Sequence, residues 1–307
     1  MRFASDTRVY IAGCGGMLGA AVHLLFSRRC DVRATDIDVN EPWLHRADIR
    51  EHQVMREEIE KHQPNAIINL GALTDLELCE RDPKNTWDTN AYGAEFLGTL
   101  ARERDIPYVY ISTAGIFDGL KDFYNDDDQP TPLSVYGKSK HYAETAIPRA
   151  VPKHFILRAG WMMGGGLRKD KKFINKIYKQ IAGGAKELRV VDDKLGTPTY
   201  THDFARGILR LLESDKYGLY NQVGGGDGSR HDVAVEFVRL LGLEKSIRVV
   251  RVGSEEFARE YFAPRPRSEC LVNCKLNELG LNVMRDWRVC LQEYAQEFIP
   301  DLRMRGL

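Results

Sequence analysis

The chain alternates short β-branched apolar runs with longer stretches in which apolar positions recur every three or four residues. Arg8-Val-Tyr-Ile-Ala12 reads as a buried strand, and a glycine-rich turn leads from it into an apolar helix over about 17–27. The same reasoning predicts strands over 31–35, 66–70, 108–112 and 154–158, with helices over 51–62, 83–104 and 134–148 between them. Such alternation implies right-handed crossovers, and therefore a doubly wound parallel sheet with helices on both faces. After Arg158 the pattern loosens. Glycine clusters at 164–166, 183–184 and 224–226 separate shorter elements, with helices expected over 170–182, 200–213, 230–242 and 286–299. This half reads as a smaller α+β lobe, some segments of which return to the sheet.

Composition narrows the class of partner. The 307 residues carry 44 Lys+Arg against 44 Asp+Glu, and this zero net charge weighs against a nucleic-acid binder while leaving room for a local cationic pocket. No apolar run approaches the ~18–20 residues that span a bilayer. The stretch Met1 to Arg8 is polar and leads straight into a strand, so it does not read as a secretory signal, and a soluble cytoplasmic protein is expected. The six cysteines are scattered; Cys270 and Cys274 lack a second pair to complete a zinc site, and the eight histidines show no ligand spacing. Reduced thiols and no metal are expected. Asp126-Asp127-Asp128 reads as an exposed turn.

Chemistry first becomes visible in Gly13-Cys-Gly-Gly-Met-Leu-Gly19, between the first strand and helix. Gly13 permits a tight turn, Gly16 lets the backbone approach a pyrophosphate, and Gly19 allows close helix packing. Met17 and Leu18 open a helix whose N–H groups face the anion. This makes the sheet Rossmann-type, with 1–165 the expected NAD(P)-binding part and 166–307 mainly a substrate lobe. Asp36 ends the second strand, where a carboxylate accepts hydrogen bonds from an adenosine ribose and repels a 2′-phosphate. NADH is therefore slightly favoured over NADPH, although Arg33 or another cation nearby would soften that preference. Asp48 and Ile49 fall where an adenine is contacted.

A second constellation supplies acid–base chemistry. Tyr136 and Lys140 lie four apart, hence on one helical face, and an ammonium beside a phenol lowers its pKa from ~10. Thr113 follows the strand 108–112 at its carboxyl edge, where a hydroxyl can bond a substrate carbonyl.

With these residues in view, the chain resembles the extended short-chain dehydrogenase/reductase superfamily, and within it the dTDP-4-dehydrorhamnose reductase (RmlD-like) family. Asn69-Leu-Gly-Ala-Leu-Thr-Asp75 resembles the family's Asn-Ala-Ala segment passing over the cofactor, which implies cofactor contacts from Gly71, Ala72 and Thr74. Ser112-Thr-Ala-Gly-Ile-Phe-Asp-Gly119, Pro132-Leu-Ser-Val-Tyr-Gly-Lys-Ser-Lys140 and Asp193-Lys-Leu-Gly-Thr-Pro-Thr199 resemble three further family runs, the last specific to the sugar-nucleotide subgroup. The resemblance implies reduction of a 4-keto group on a nucleotide-linked deoxysugar. Tyr136 would supply the proton, Lys140 would tune it and hold the nicotinamide ribose, and Thr113 would orient the carbonyl. Asn90 matches a family asparagine that shapes the site, and Arg265-Pro-Arg267 falls in a family position near the substrate; with Arg158 and Trp161 these residues are candidates for a pyrophosphate or nucleobase pocket, Lys171 and Lys172 being weaker ones. Ala114-Gly115 stands where the family has Asp-Tyr, which leaves more space near the sugar. A nucleotide-sugar epimerase with retained NAD and a non-catalytic regulatory subunit are the competing readings. A homodimer is compatible with all of them.

Overall fold

The computed structural model describes residues 3–306; Met1 and Arg2, which begin the polar N-terminal stretch, and Leu307 lie outside the described residues. Six strands come from the first half: β1 (Arg8–Ala12), β2 (Asp31–Asp36), β3 (Leu44–Arg46), β4 (Ala66–Asn69), β5 (Tyr108–Thr113) and β6 (His154–Ala159). The strand Gly218–Asn221 adds a seventh beside β6, and the order across the sheet is Gly218–Asn221, β6, β5, β4, β1, β2, β3, all parallel. Chain order reverses between β1 and β4, so a crevice opens beyond their carboxyl ends, where such sheets bind ligands.

The two-residue period of the strands sorts their side chains between two layers. Val9, Ile11, Val109 and Leu157 pack with the helices Met17–Phe26 and Thr201–Ser214 on one face. Tyr10, Ile67, Tyr108 and Tyr110 pack with His52–His62, Ala94–Glu103 and Val135–Ala150 on the other. A separate core, containing Ile177, Phe237, Trp287 and Phe298, lies among later helices. Helix Thr201–Ser214 and strand Gly218–Asn221 thus join the sheet from the second half of the chain. Among the described residues no helix is long and apolar enough to cross a membrane.

Three sequence expectations are revised. The helix expected over 83–104 is broken into Pro83–Trp87, a π-helical turn Asp88–Gly93 and Ala94–Glu103, with a further short helix, Leu76–Arg81, ahead of them. The hinge between the short helices is Asp82, whose side chain accepts the Asn85 N–H and so starts a new helix. Strand β3 escaped the pattern because it is three residues long with His45 and Arg46 exposed. Finally, Asp126-Asp127-Asp128 form the expected turn and Asp127 is exposed, but Asp126 is not. It is 3% exposed, and its carboxylate accepts the N–H groups of Asn221 (2.6 Å) and Lys275 (3.2 Å), pinning the seventh strand.

Candidate active site

The glycine loop does three distinct jobs. Gly13 has φ +70°, and a Cβ there would lie 2.2 Å from the Gly71 backbone, so the loops after β1 and β4 meet main chain to main chain. A Cβ on Gly19 would lie 2.1 Å from the Cys14 carbonyl oxygen, which holds the helix start against the loop. Around Gly16 nothing comes within 4 Å of an added Cβ. Gly16 also N-caps Met17–Phe26 without any side-chain bond, so the N–H groups of the first turn, Met17 and Leu18 included, have no side-chain cap. Open space over an uncapped helix start fits the pyrophosphate of a dinucleotide.

Asp36 serves this loop directly. Its carboxylate accepts the Gly15 N–H at 2.8 Å and the Asp38 N–H at 2.9 Å. Arg33, the cation expected to soften the cofactor preference, is spent on Glu58 at 2.8 and 3.0 Å. A cation that sequence reasoning missed takes its place. Lys169 reaches back from the second half to donate to the Gly15 carbonyl (3.1 Å) and to Asn40, and it pairs with Glu41 at 3.1 Å.

Arg50 donates to both carboxylate oxygens of Asp48 at 3.0 Å, which holds Asp48 below the usual carboxylate range. Ile49 is buried against Gly71 and Gly93. On the next loop, Gly71 donates its N–H to the Asn69 side chain at 3.0 Å, Ala72 is half-buried, and Thr74 accepts Lys172 Nζ through its carbonyl (3.0 Å) and hydroxyl (3.1 Å).

Asn90 is fully buried in the π-helical turn, accepts the Leu73 N–H (2.8 Å), and donates to the Leu73 carbonyl (3.0 Å) and Ser139 Oγ (3.3 Å). These bonds hold the β4 loop against the helix of Tyr136. The π-turn carbonyl of Asn90 in turn accepts the Tyr110 hydroxyl at 3.1 Å.

Helix Val135–Ala150 starts at Ser134, whose Oγ accepts the Gly137 N–H at 3.0 Å. A Cβ on Gly137 would lie 2.4 Å from the Gly115 carbonyl oxygen, so the helix seats directly on the turn that follows β5. That close approach sets the Tyr136 side chain beside Thr113. Thr113 Oγ1 also accepts the Gly115 N–H at 3.1 Å. One helical turn on, Lys140 is 2% exposed, its Nζ 4.1 Å from the Tyr110 ring centroid. Burial pulls its pKa down to about 7, against support from Glu144. Burial likewise pushes the Tyr136 phenol above its ordinary value, with Thr113 opposing. The expected lowering of the phenol by Lys140 is therefore not realised in the protein alone. Both groups are desolvated, and that outweighs their proximity.

On the substrate side, Trp161 donates Nε1 to Glu269 at 2.7 Å, and its ring lies against Gly196, where a Cβ would come within 2.2 Å. Glu269 also faces the turn after β5, 3.4 Å from where a Gly115 Cβ would sit, so its side chain takes up part of the space left by that glycine. Arg265 is already committed, to Glu77 at 2.8 Å and the Ala263 carbonyl at 3.0 Å. Lys171 and Arg267 are exposed. Sequence reading missed both Glu269 and Arg230, which stacks on Trp161 at 3.6 Å. The signal for Arg230 was there: it is the first residue of helix Arg230–Leu240, a cation at the positive end of a helix dipole, where local energetics disfavour it. Asp192, His231 and Asp232 bring potential ligand atoms within 4.8 Å of one another, but both carboxylates serve the Ser229 cap.

Residues 7–299 match the family model described as RmlD substrate binding domain. The spore coat polysaccharide biosynthesis protein SpsK of Bacillus subtilis (strain 168) is 30% identical over 292 residues, 95% of this chain and 98% of that protein. The crystal structure of a dTDP-4-dehydrorhamnose reductase from Clostridium acetobutylicum ATCC 824 superposes with a TM-score of 0.85 at 31% identity, covering 94% of this chain and 99% of that one. The dTDP-4-dehydrorhamnose reductase of Bacillus anthracis str. Ames, solved in complex with NADP, gives 0.86 at 26% identity, covering 95% and 99%.

Proposed function

Since the chain belongs to the RmlD substrate binding domain family and is an NAD(P)-dependent oxidoreductase of the extended short-chain dehydrogenase/reductase type, we propose that it reduces the 4-keto group of a nucleotide-linked deoxysugar. The observation that carries this reading is the seating of helix Val135–Ala150 on the turn after β5, which puts Tyr136 beside Thr113 at the carboxyl end of that strand with Lys140 one helical turn behind it. When bound, the nicotinamide dinucleotide supplies the hydride.

The chain's own residues do the rest. Thr113 and Tyr136 both direct hydroxyls at one point, where a carbonyl oxygen gains charge as it is reduced. Tyr136 gives that oxygen its proton, and a phenol pushed up by burial is protonated at neutral pH, the state a donor needs. Lys140 in its charged form stabilises the phenolate left behind and offers donors to the nicotinamide ribose. Residues 1–165 hold the cofactor and this acid–base group and supply Trp161, and 166–307 mainly select the sugar, Glu269 joining Trp161 against the hexose. The test is incubation of the protein with NADH or NADPH and a dTDP-4-keto-6-deoxysugar. Stoichiometric loss of reduced cofactor is expected. Interconversion of epimers without net cofactor use would instead identify an epimerase.

Cofactor choice sets Asp36 against Lys169. Asp36 favours a ribose hydroxyl over a 2′-phosphate, and Lys169 beside Gly15 offsets that, so both cofactors should work with NADH slightly ahead. Asp36→Ala should shift the kcat/KM ratio toward NADPH by about tenfold or more, the worth of a charge-assisted hydrogen bond. An unchanged ratio in steady-state assays would remove Asp36 from the ribose site.

A further inference from the structure

Arg230, which lies over Trp161, sits among other cations: its charge acts on Lys172, which also feels Lys176, and Arg265 acts on Arg230. The other three have already spent donors within the protein. Lys172 is bonded to Thr74, Lys176 to the Tyr261 hydroxyl at 3.2 Å, and Arg265 to Glu77 and the Ala263 carbonyl. Among the described residues Arg230 is different: its guanidinium donates no hydrogen bond and has no carboxylate within 4 Å. It is nonetheless held in place, with Cζ 3.6 Å from the Trp161 ring centroid and 5.1 Å from that of Phe173. Trp161 is itself fixed by Glu269 and by the Gly196 backbone. The plane is therefore set by stacking while all five N–H donors remain unspent.

Arg230 is half-buried, and its unbonded donors are open to solvent where a ligand could reach them. Burial pulls even this guanidinium down to about 10, with Glu269 the largest opposing influence, and the helix it begins points its positive end at the same charge. Unpaired donors on a rigid fork are relieved by a ligand that offers several acceptor oxygens and negative charge together. A sugar hydroxyl supplies one acceptor; a diphosphate supplies a bidentate anion that matches the fork. The neighbouring cations add favourable potential without competing for the same lone pairs.

We propose that Arg230 receives the diphosphate of the nucleotide sugar, and that Trp161, on which it stacks, couples the anchored diphosphate to the hexose beside Glu269 and Tyr136. This rests on the nucleotide-sugar reading given above and assigns the residue that anchors such a substrate. The Arg265 expected from the sequence then serves as a brace for Glu77 and Tyr261.

The experiment is calorimetric titration of dTDP, UDP and GDP into the full chain saturated with NADPH, for wild type, Arg230→Met and Arg230→Lys. Methionine keeps an aliphatic stem against Trp161, and lysine keeps the charge without the fork. Wild type should bind at least one diphosphate. Arg230→Met should bind it about 10- to 100-fold more weakly, and Arg230→Lys should recover only part of that loss. Melting temperature and NADPH affinity should stay at wild-type values. A diphosphate Kd within twofold of wild type in Arg230→Met would overturn the assignment while leaving the nucleotide-sugar reading intact. An equal loss of NADPH affinity would overturn it too, by making Arg230 a structural residue. Failure of wild type to bind any of the three would overturn the nucleotide-sugar reading itself.

Discussion

Tyr136→Phe is expected to lower kcat for keto-sugar reduction by about 10²–10⁴-fold, the range a positioned general acid contributes. The substitution removes one oxygen from a half-buried ring beside Thr113. Thr113 keeps its bond from the Gly115 N–H, so the turn after β5 should hold its shape. Nothing in the glycine loop touches the lost hydroxyl, and NADPH affinity and the melting temperature should match wild type. KM for the sugar should change little, since one of two hydroxyls still meets the carbonyl. A rate loss confined to kcat identifies proton donation, whereas a proportional rise in KM would identify ground-state binding. Retention of wild-type kcat in stopped-flow single turnovers would remove Tyr136 from the chemistry.

What could be read from the sequence follows from the range of each signal. Strands β1, β2, β4, β5 and β6 declare themselves through local period-two or continuous apolar runs, and each lies within a residue of its expected bounds. The Gly13/Gly16/Gly19 spacing and the Tyr136/Lys140 pair are equally local, each contained within a single turn or helix. The π-helical turn at 88–93 was hidden because it changes the hydrogen-bond register without disturbing the apolar pattern on either side. Lys169, Arg230 and Glu269 were hidden for a different reason. Each meets its partner across a large sequence separation: Lys169 at Gly15, and Arg230 and Glu269 at Trp161. Local periodicity cannot report such convergence. The same limit explains Arg265, whose neighbourhood was anticipated but whose commitment to Glu77, far away in sequence, was not. Asn90 was placed near the site by resemblance, yet only the folded chain shows that its amide faces inward.

The largest stability effect is expected from Arg158→Met. Arg158 and Glu144 are both about 3% exposed and joined by two parallel hydrogen bonds at 3.0 and 2.8 Å, and Arg158 also donates to the Asp126 carbonyl at 3.0 Å. Removing one partner of a buried pair leaves the other charge uncompensated, at a cost of about 3–5 kcal/mol. Urea unfolding at pH 7.5 should report a loss of that size. In the wild type, burial pushes Glu144 up, but His141 at 3.9 Å and the Arg158 guanidinium more than offset this and hold it below the usual carboxylate range. Its contribution is therefore present above the unfolded pKa and lost as pH falls through the folded one. Without Arg158 the folded pKa rises, because burial is then opposed chiefly by His141, so the variant loses less stability than the wild type as acid neutralises Glu144. The gap between variant and wild type should accordingly narrow from pH 7.5 toward pH 5; a gap that widened on acidification would contradict this account. The double variant Glu144→Leu/Arg158→Met should recover most of the lost stability, because an apolar pair of similar volume avoids both desolvation costs. It should not recover activity. Glu144 is the leading electrostatic support for the Lys140 ammonium, and without it burial drives Lys140 further toward the neutral amine. Stability restored with the rate still impaired would separate the two roles of Glu144, as a structural partner of Arg158 and as the counter-charge that keeps Lys140 protonated beside Tyr136.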